Sequence, residues 1–480
     1  MHEVDYLVVG SGATAMAFVD TMLTETDATF AMVDRRHVPG GHWNDAYPFV
    51  RLHQPSQYYG VASRPLGRGR KDASGLNRGF YELASGIEVT AYFHDVMDDV
   101  FLPSGRVSYH PSSEFTAPNG RPGGDGGSAS NEGEVISLLS GERAELRWTT
   151  LVDATVLTTE IPLTHDRPFE VADGVTCEPP NHLARLAPNH AAVVIVGGGK
   201  TAIDCVTWLL GHGYPPERIT WVVPRDSWLV NRSSVQPGHE NFLSTVGGLA
   251  AQAEACATAT TVDELCAQQD ASGVWLRLDP DVWPEMFHAA TISEHELAEI
   301  RRIGDIVRLG HVQRIEPDRL ILTGGEVAVP TGALHVDCTA SAAASNVGVR
   351  LPVFADGVIT LQMVRPFQPC FSAALLGRVE ATVSPEAKAG LARPTPMTDT
   401  VVDWLTAQAD GMLNAGAWSQ EPSIAGWLDS CRLNAIGHLL NGVDPDDAAK
   451  QALLGRMLTA SFASVENLQR LAAEAAGSGS

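Results

Sequence analysis

Two glycine-rich turns carry the residues whose types and spacing have the clearest chemical meaning. The first reads Gly10-Ser11-Gly12-Ala13-Thr14-Ala15, and the second, about 187 residues later, reads Gly197-Gly198-Gly199-Lys200-Thr201-Ala202. In this spacing the first glycine allows a tight turn, the second lets the backbone approach a pyrophosphate, and the alanine permits close packing of a helix on a strand. Both turns follow a short apolar run and precede an apolar pattern of helical period. Each therefore predicts a strand, a turn and a helix that bind a dinucleotide.

The residues that follow each turn distinguish the two dinucleotides. After the first turn, the apolar run 30–33 ends on Asp34, a carboxylate that can accept hydrogen bonds from ribose hydroxyls. After the second turn, the run 219–223 has no carboxylate at its end and leads to Arg225, whose guanidinium can pair with a 2′-phosphate. We therefore expect NADPH rather than NADH at the second turn. Thr201 belongs to the same expected cofactor-binding turn. Lys200 is expected either to add positive charge near the phosphates or to be a solvated lysine at the helix start.

The segment after the first nucleotide unit resembles a known family. It contains Gly40-Gly41-His42-Trp43 and then Leu52-His53-Gln54-Pro55-Ser56. These strings resemble the Gly-Gly-x-Trp and Leu-x-x-Pro-Ser segments of flavin-containing and Baeyer–Villiger monooxygenases, the class B flavin-dependent monooxygenases. The second glycine-rich turn also resembles the NADPH motif of that family. The resemblance implies FAD in the first unit and NADPH in the second, with cofactor contacts from Gly40, Gly41, Trp43, His53, Gln54 and Ser56.

The resemblance also implies a reaction. In that family NADPH reduces FAD, oxygen adds to the reduced flavin as a C4a-(hydro)peroxide, and one oxygen atom passes to nitrogen, sulfur or carbon of a small organic substrate. The family's reaction also needs polar groups that donate hydrogen bonds to the peroxide. Candidate catalytic groups near the flavin are His53, Gln54 and Asn77. Asn77 is included because family members use an asparagine for this purpose. The alternative for Trp43 is a core aromatic residue, and the alternative for His53 is a structural histidine.

Two patterns that are missing from the sequence disfavour particular classes of flavoenzyme. The interval before the second turn holds Phe169 and Gly174 but no matching His/Trp pair of the Baeyer–Villiger fingerprint, so a typical Baeyer–Villiger enzyme is disfavoured. The seven cysteines contain no Cys-x-x-Cys pair, which disfavours a disulfide reductase of the thioredoxin-reductase type and a disulfide framework. A ferredoxin-reductase-type enzyme that passes electrons to a partner remains an alternative. A non-catalytic flavin-binding redox sensor is the other.

Composition limits the partners. The 480 residues include 33 basic and 57 acidic side chains, a formal net charge of −24. Such a charge disfavours nucleic acid and anionic membranes as partners. We find no apolar run long enough to span a bilayer and no signal peptide, so we expect a cytoplasmic protein. The expected partners are a small-molecule substrate and molecular oxygen, with a homo-oligomer left open.

These patterns predict an α/β fold with two Rossmann-like dinucleotide-binding domains, the second inserted into the first, and a helical C-terminal region. Crossings between the domains are expected at 152–155 and 334–339, a loop at 119–133, a hairpin at 353–360, and a last strand returning to the flavin at 369–377. The predicted division is an FAD domain at 1–185 and 336–397, an NADPH domain at 186–335 with a helical insertion at 242–303, a helical region at 398–476, and a linker or tag remnant at 477–480.

Overall fold

The computed structural model describes residues 2–116, 131–157, 159–341 and 348–478. A first sheet with parallel central strands contains the start of the chain. In spatial order its main strands are Phe354–Ala355, Val358–Thr360, Arg143–Asp153, His2–Val9, Phe30–Val33 and Val107–His110. The antiparallel pair Ser113–Thr116 and Glu132–Ser137 joins this sheet through Arg143–Asp153. Residues 119–130 of the predicted loop lie outside the described residues.

A second sheet is wholly parallel and contains the second glycine-rich turn. Its strands, in spatial order, are Asp305–Val307, Ile219–Val222, Val193–Val196, Leu334–Asp337 and Cys177–Glu178. Two smaller sheets accompany it: Trp275–Leu276, Ser227–Asn231 and Met286–Ile292, and then Gly325–Ala328, Arg319–Leu322, Val312–Ile315 and Glu170–Val171. The central strand Val193–Val196 is buried along its whole length, as expected for a parallel sheet covered on both faces. We refer below to the first unit and the second unit, defined by these two parallel sheets.

Helices cover the sheets and form the C-terminal region. They are Ala13–Glu25, Gly86–Val96, Leu183–Leu186, Lys200–Gly211, Phe242–Thr258, Val262–Ala271, Glu294–Ile300, Pro369–Thr382, Pro385–Lys388, Val401–Gln420, Pro422–Ser430, Ala435–Leu440 and Ala448–Ser478. The helical pattern predicted from residue 398 onward is confirmed, and the last helix continues into the first two residues of the predicted linker. The helical pattern predicted at 242–303 is confirmed in part, because the strands Trp275–Leu276 and Met286–Ile292 interrupt it. In the described part of the chain, none of the helices has the length and apolar character needed to cross a bilayer.

The structure corrects one expectation and confirms another near the end of the first unit. The predicted hairpin forms, since Phe354–Ala355 pairs antiparallel with Val358–Thr360. The predicted last strand at 369–377 is wrong, because these residues begin the helix Pro369–Thr382. Proline at the first helical position fixes a helical φ, and the helix is buried on most sides, so its apolar run has no visible helical period. It packs closely on Ala13–Glu25: a Cβ at Gly377 would lie 3.0 Å from the carbonyl oxygen of Phe18.

Candidate dinucleotide sites and active site

The first glycine-rich turn joins the strand His2–Val9 to the helix Ala13–Glu25. Asp34 lies at the end of the neighbouring strand, as predicted, and one of its oxygens accepts hydrogen bonds from the Ser11 backbone nitrogen at 2.6 Å and the Ser11 hydroxyl at 2.8 Å. The helix begins after Gly12, which offers no capping side chain to the first amide groups. Free amide groups at a helix N-terminus attract phosphate oxygens. Turn, helix start and carboxylate therefore fit the pyrophosphate and ribose of a dinucleotide.

The predicted Gly-Gly-x-Trp turn packs directly on the first glycine-rich turn. The Gly40 nitrogen donates to the carbonyl oxygen of Ser11 at 2.9 Å. Gly41 has a φ of +60°, and a Cβ there would lie 2.9 Å from the Cα of Gly12. Only glycine at position 41 permits this approach without displacement of the backbone. The two turns thus form one surface at the carboxyl edge of the first sheet.

Trp43 connects this surface to the core of the first unit. Its indole nitrogen donates to the Tyr59 hydroxyl at 2.8 Å, and the two rings meet edge to face at 5.9 Å between centroids. The indole is half-buried against the main apolar cluster, as a core aromatic residue would be. The core packing anticipated as the alternative for Trp43 is therefore present, and a contact with flavin stays a prediction.

The second glycine-rich turn repeats the geometry of the first. A Cβ at Gly197 would lie 2.6 Å from the carbonyl oxygen of Cys338, which places the strand Leu334–Asp337 directly behind the turn. A Cβ at Gly199 would meet no atom within 4 Å, so this side of the turn is open. The helix Lys200–Gly211 begins there, again without a side-chain cap. Ala202 is fully buried and packs the helix on the second sheet, as the spacing predicts.

Lys200 is largely buried, and its ion-pair partner lies on the same helix. Its ammonium pairs with the Asp204 carboxylate one helical turn later, and only 10% of its side chain is exposed. The other oxygen of Asp204 accepts a hydrogen bond from the Tyr47 hydroxyl of the first unit at 2.7 Å. Lys200 is therefore not a solvated lysine, and its charge lies in the contact between the units. Thr201 is half-buried in the first turn of the same helix.

Arg225 follows the strand Ile219–Val222 and is accessible, with 44% of its side chain exposed. Its one ion pair in the described residues is weak, at 3.9 Å from an oxygen of Asp399. The neighbouring Asp226 is buried and held by Arg308 through two hydrogen bonds of 2.7 and 3.2 Å. Because Arg308 neutralises Asp226, Arg225 remains a cation that can meet an incoming phosphate.

His53, Gln54 and Ser56 lie on the segment that faces the second unit. His53 is half-buried, and its burial together with the charges of Lys200 and Arg232 holds its pKa well below the usual 6.5. It is therefore a neutral imidazole at neutral pH. Gln54 is half-buried beside it. The Ser56 hydroxyl is used within the first unit, donating to the Glu82 carbonyl oxygen at 2.9 Å and accepting from the Ala84 nitrogen at 2.8 Å.

Asn77 is linked to His53 through a shared arginine, although the two lie 24 positions apart in the sequence. Its amide nitrogen donates to Asp72 at 2.8 Å and to the Tyr81 carbonyl oxygen at 3.0 Å. Its amide oxygen accepts from Arg232, which also donates to the His53 carbonyl oxygen. One buried arginine of the second unit thus contacts two of the three candidate catalytic residues.

Sequence reasoning assigned no role to four polar residues at the contact between the two units: Tyr47, Asp204, Arg232 and Glu296. For one of them a signal was present, because Arg232 directly follows the apolar strand Ser227–Asn231, where an unpaired charge would be costly. The candidate active site is therefore the region where the carboxyl edge of the first sheet meets the second turn. Within the described residues no group of three or more histidine, cysteine or acidic side chains could hold a metal ion.

Comparison with known proteins supports this assignment of fold. No protein-family model matches the chain. It is 43% identical over 439 residues to the uncharacterized protein Rv2000 of Mycobacterium tuberculosis and to the uncharacterized protein Mb2023 of Mycobacterium bovis, covering 91% of this chain and 79% of each relative. Among solved structures, it is similar to a polycyclic ketone monooxygenase from Thermothelomyces thermophila, with a TM-score of 0.51, 13% identity and coverage of 97% of this chain and 88% of that one. The chain therefore belongs to the family of the mycobacterial protein Rv2000 and has the fold of the class B flavin monooxygenases.

Proposed function

We propose that the protein is an FAD-containing, NADPH-dependent monooxygenase that oxygenates a small organic substrate at nitrogen, sulfur or carbon. The observation that carries this proposal is the pair of uncapped glycine-rich turns, one in each unit, with the neutral imidazole of His53 between the units. Bound FAD would accept hydride from NADPH and activate molecular oxygen. The division into an FAD domain and an inserted NADPH domain, with the boundaries predicted above, is part of the proposal.

Residues of the first unit would bind and orient FAD. The amide groups at the start of Ala13–Glu25 would receive the pyrophosphate, and Asp34 would accept from ribose hydroxyls. The flat surface formed by Gly12 and Gly41 would let the cofactor pass close to the backbone. Trp43 and Gln54 would line the flavin.

Residues of the second unit would bind NADPH. The open side of the turn at Gly199 leaves room for its pyrophosphate, and the amide groups at the start of Lys200–Gly211 would hold it. Arg225 would pair with the 2′-phosphate. Because Lys200 is committed to Asp204, we assign phosphate binding at this turn to backbone amides rather than to the lysine.

His53 would act at the meeting point of the two dinucleotides. A neutral imidazole can donate or accept one hydrogen bond without adding charge to the site. Its depressed pKa keeps it in that form throughout the neutral range. Burial of the surrounding groups would also keep water away from the reacting oxygen.

The first test is spectroscopic. Purified protein should carry FAD, and NADPH should reduce it in the absence of oxygen faster than NADH does. On mixing with oxygenated buffer, a monooxygenase should show a flavin absorbance transient before the oxidised spectrum returns. Immediate return of the oxidised spectrum would instead favour electron transfer to a protein partner. Protein with bound FAD that neither NADPH nor NADH reduces would contradict catalysis and favour a sensor.

A further inference from the structure

Arg232 is the most completely buried charged side chain at the contact between the units, with 1% of the residue exposed. Its guanidinium donates to the His53 carbonyl oxygen at 3.1 Å, the Asn77 amide oxygen at 3.2 Å and the Thr291 carbonyl oxygen at 3.0 Å, and it pairs with the Glu296 carboxylate. Two of these acceptors belong to the first unit and two to the second. A single side chain therefore joins four segments of the protein.

In the second unit, further hydrogen bonds hold the carboxylate that pairs with Arg232. Glu296 also accepts a hydrogen bond from the Ser293 nitrogen at 2.7 Å, in the capping box that starts the helix Glu294–Ile300. The Ser293 hydroxyl donates to the carbonyl oxygen of Leu76 at 2.6 Å, in the loop of the first unit that also contacts the guanidinium. The carboxylate that holds Arg232 is thus fixed by the backbone around it.

The charges around His53 are balanced in pairs. Lys200 is paired with Asp204, and Arg232 with Glu296, so each cation beside His53 has an acidic partner. Burial raises the pKa of Asp204 from its usual value, and the ammonium of Lys200 opposes that rise. Burial opposes ionisation of Glu296, but the two cations outweigh it and lower the pKa of that carboxyl. The arrangement thus consists of two buried ion pairs and one uncharged imidazole.

We propose that Arg232 is a positioning residue, which holds the His53 segment and the Asn77 side chain against the second unit so that the imidazole lies where the two dinucleotides meet. Its part in hydride transfer rests on the proposed function, whereas its hold on His53 does not. Arginine suits the role because a planar guanidinium can donate in several fixed directions at once, while a lysine ammonium is a single point charge.

The test compares three variants. Arg232→Lys keeps a positive charge for Glu296 but cannot reach all the acceptors. The double variant Arg232→Met with Glu296→Gln removes both charges together, so that no buried charge is left unpaired. Arg378→Lys is the matched control. Arg378 is less deeply buried than Arg232, but it likewise pairs with a carboxylate, Glu25, and donates to a carbonyl oxygen, and it lies far from the second unit.

Two readouts separate the roles. In anaerobic stopped-flow reduction of the FAD-loaded protein, Arg232→Lys and the double variant should lower the limiting reduction rate roughly tenfold or more. The NADPH dissociation constant should change less than about threefold, since the guanidinium touches no residue assigned to phosphate binding. By NMR, the His53 resonance, assigned with His53→Gln, should not titrate near pH 6.5 in the wild type but should do so in both variants. Arg232→Lys is the decisive variant, because it keeps the cation that helps to lower this pKa, so that only loosening and hydration of the segment raise it.

The outcomes are distinguishable. Reduction rates and a His53 titration that match those of Arg378→Lys would overturn the proposal. If NADPH does not reduce the wild-type flavin, the proposed function fails, and the NMR titration alone then decides whether Arg232 holds His53. An unchanged His53 titration in both variants would again overturn it.

Discussion

Tyr47 and Asp204, which are 157 residues apart, share a hydrogen bond of 2.7 Å across the contact between the first and second units. The hydroxyl donates to one carboxylate oxygen while Lys200 holds the other. Burial and the neighbouring carboxylate raise the pKa of Tyr47 well above 10, so the hydroxyl remains a donor. The orientation of the lysine in the second turn therefore depends on a tyrosine of the first unit.

Loss of this donor should weaken the contact between the units. We expect Tyr47→Phe to lower the free energy of unfolding in urea by about 1–3 kcal/mol, because one oxygen of a buried carboxylate loses its partner. Tyr81→Phe is the control: its hydroxyl also reaches a carboxylate of the second unit, Glu240, at 2.8 Å, but at the surface. Equal losses in the two variants would contradict a special role for Tyr47.

The close approach of Gly41 to Gly12 predicts a strict requirement for glycine. Gly41→Ala should abolish retention of FAD during purification, because its Cβ would lie 2.9 Å from the Cα of Gly12. Gly105→Ala separates this effect from simple backbone strain, since Gly105 also has a positive φ, +68°, but open space around it. Normal FAD content in Gly41→Ala, measured from the flavin absorbance of the purified protein, would show that the turn is not a cofactor surface.

The accessible guanidinium of Arg225 predicts selectivity between the two nicotinamide cofactors. Arg225→Ala should raise KM for NADPH by roughly tenfold or more and leave KM for NADH almost unchanged, since only NADPH has a 2′-phosphate. Arg218→Ala, at the opposite end of the same strand and equally exposed, should affect neither. An equal rise for both cofactors with Arg225→Ala would remove its assignment to the 2′-phosphate.

The low pKa of His42 predicts that the folded protein loses stability in mild acid. Burial, with a contribution from Arg36, lowers its pKa from 6.5 to about 4. The folded protein therefore binds fewer protons than the unfolded chain between these values, and its stability should fall as pH drops from about 6.5 towards about 4.

A variant without the ionisable ring measures this effect. His42→Phe keeps an aromatic ring beside Trp43 and should lose less stability in acid than the wild type, by about 1–3 kcal/mol in urea unfolding. His94→Gln, a change at an exposed histidine beside Asp98, should leave the acid loss intact. Parallel pH curves for wild type and His42→Phe would rule out His42 as the cause.

Arg432 connects the C-terminal helical region to the proposed flavin site. Its guanidinium donates to the carbonyl oxygens of Gln57, Tyr59 and Val61 at 2.8–3.0 Å, in the loop that follows the predicted flavin-lining segment. Arg432→Lys should weaken FAD binding several-fold, because one ammonium cannot reach all three oxygens. Arg470→Lys is the control, because Arg470 donates to the carbonyl oxygens of Ala259 and Thr260 in the connection between the helices Phe242–Thr258 and Val262–Ala271. FAD dissociation constants that agree between the two variants would refute this role.

Much of the fold could be predicted from the sequence, because it depends on interactions between residues that are close together in the chain. The two glycine-rich turns, the strand that ends at Asp34 and the exposed cation at Arg225 each depend on residues close together in the chain. Backbone sterics and hydrophobic period act over that range, so these elements were predicted where they occur. The same rules failed at Pro369–Thr382, because burial on most sides removes the apolar stripe that identifies a helix.

The sequence by itself determined the two strand–turn–helix units and their order along the chain. Only the tertiary structure decided that Tyr47 donates to Asp204 and that Arg232 donates to the backbone of His53. These pairings depend on distances between segments that are far apart in the chain, and no local pattern encodes them. They form because a buried charge or polar group without a partner costs free energy. These groups meet their partners only when the two units pack together.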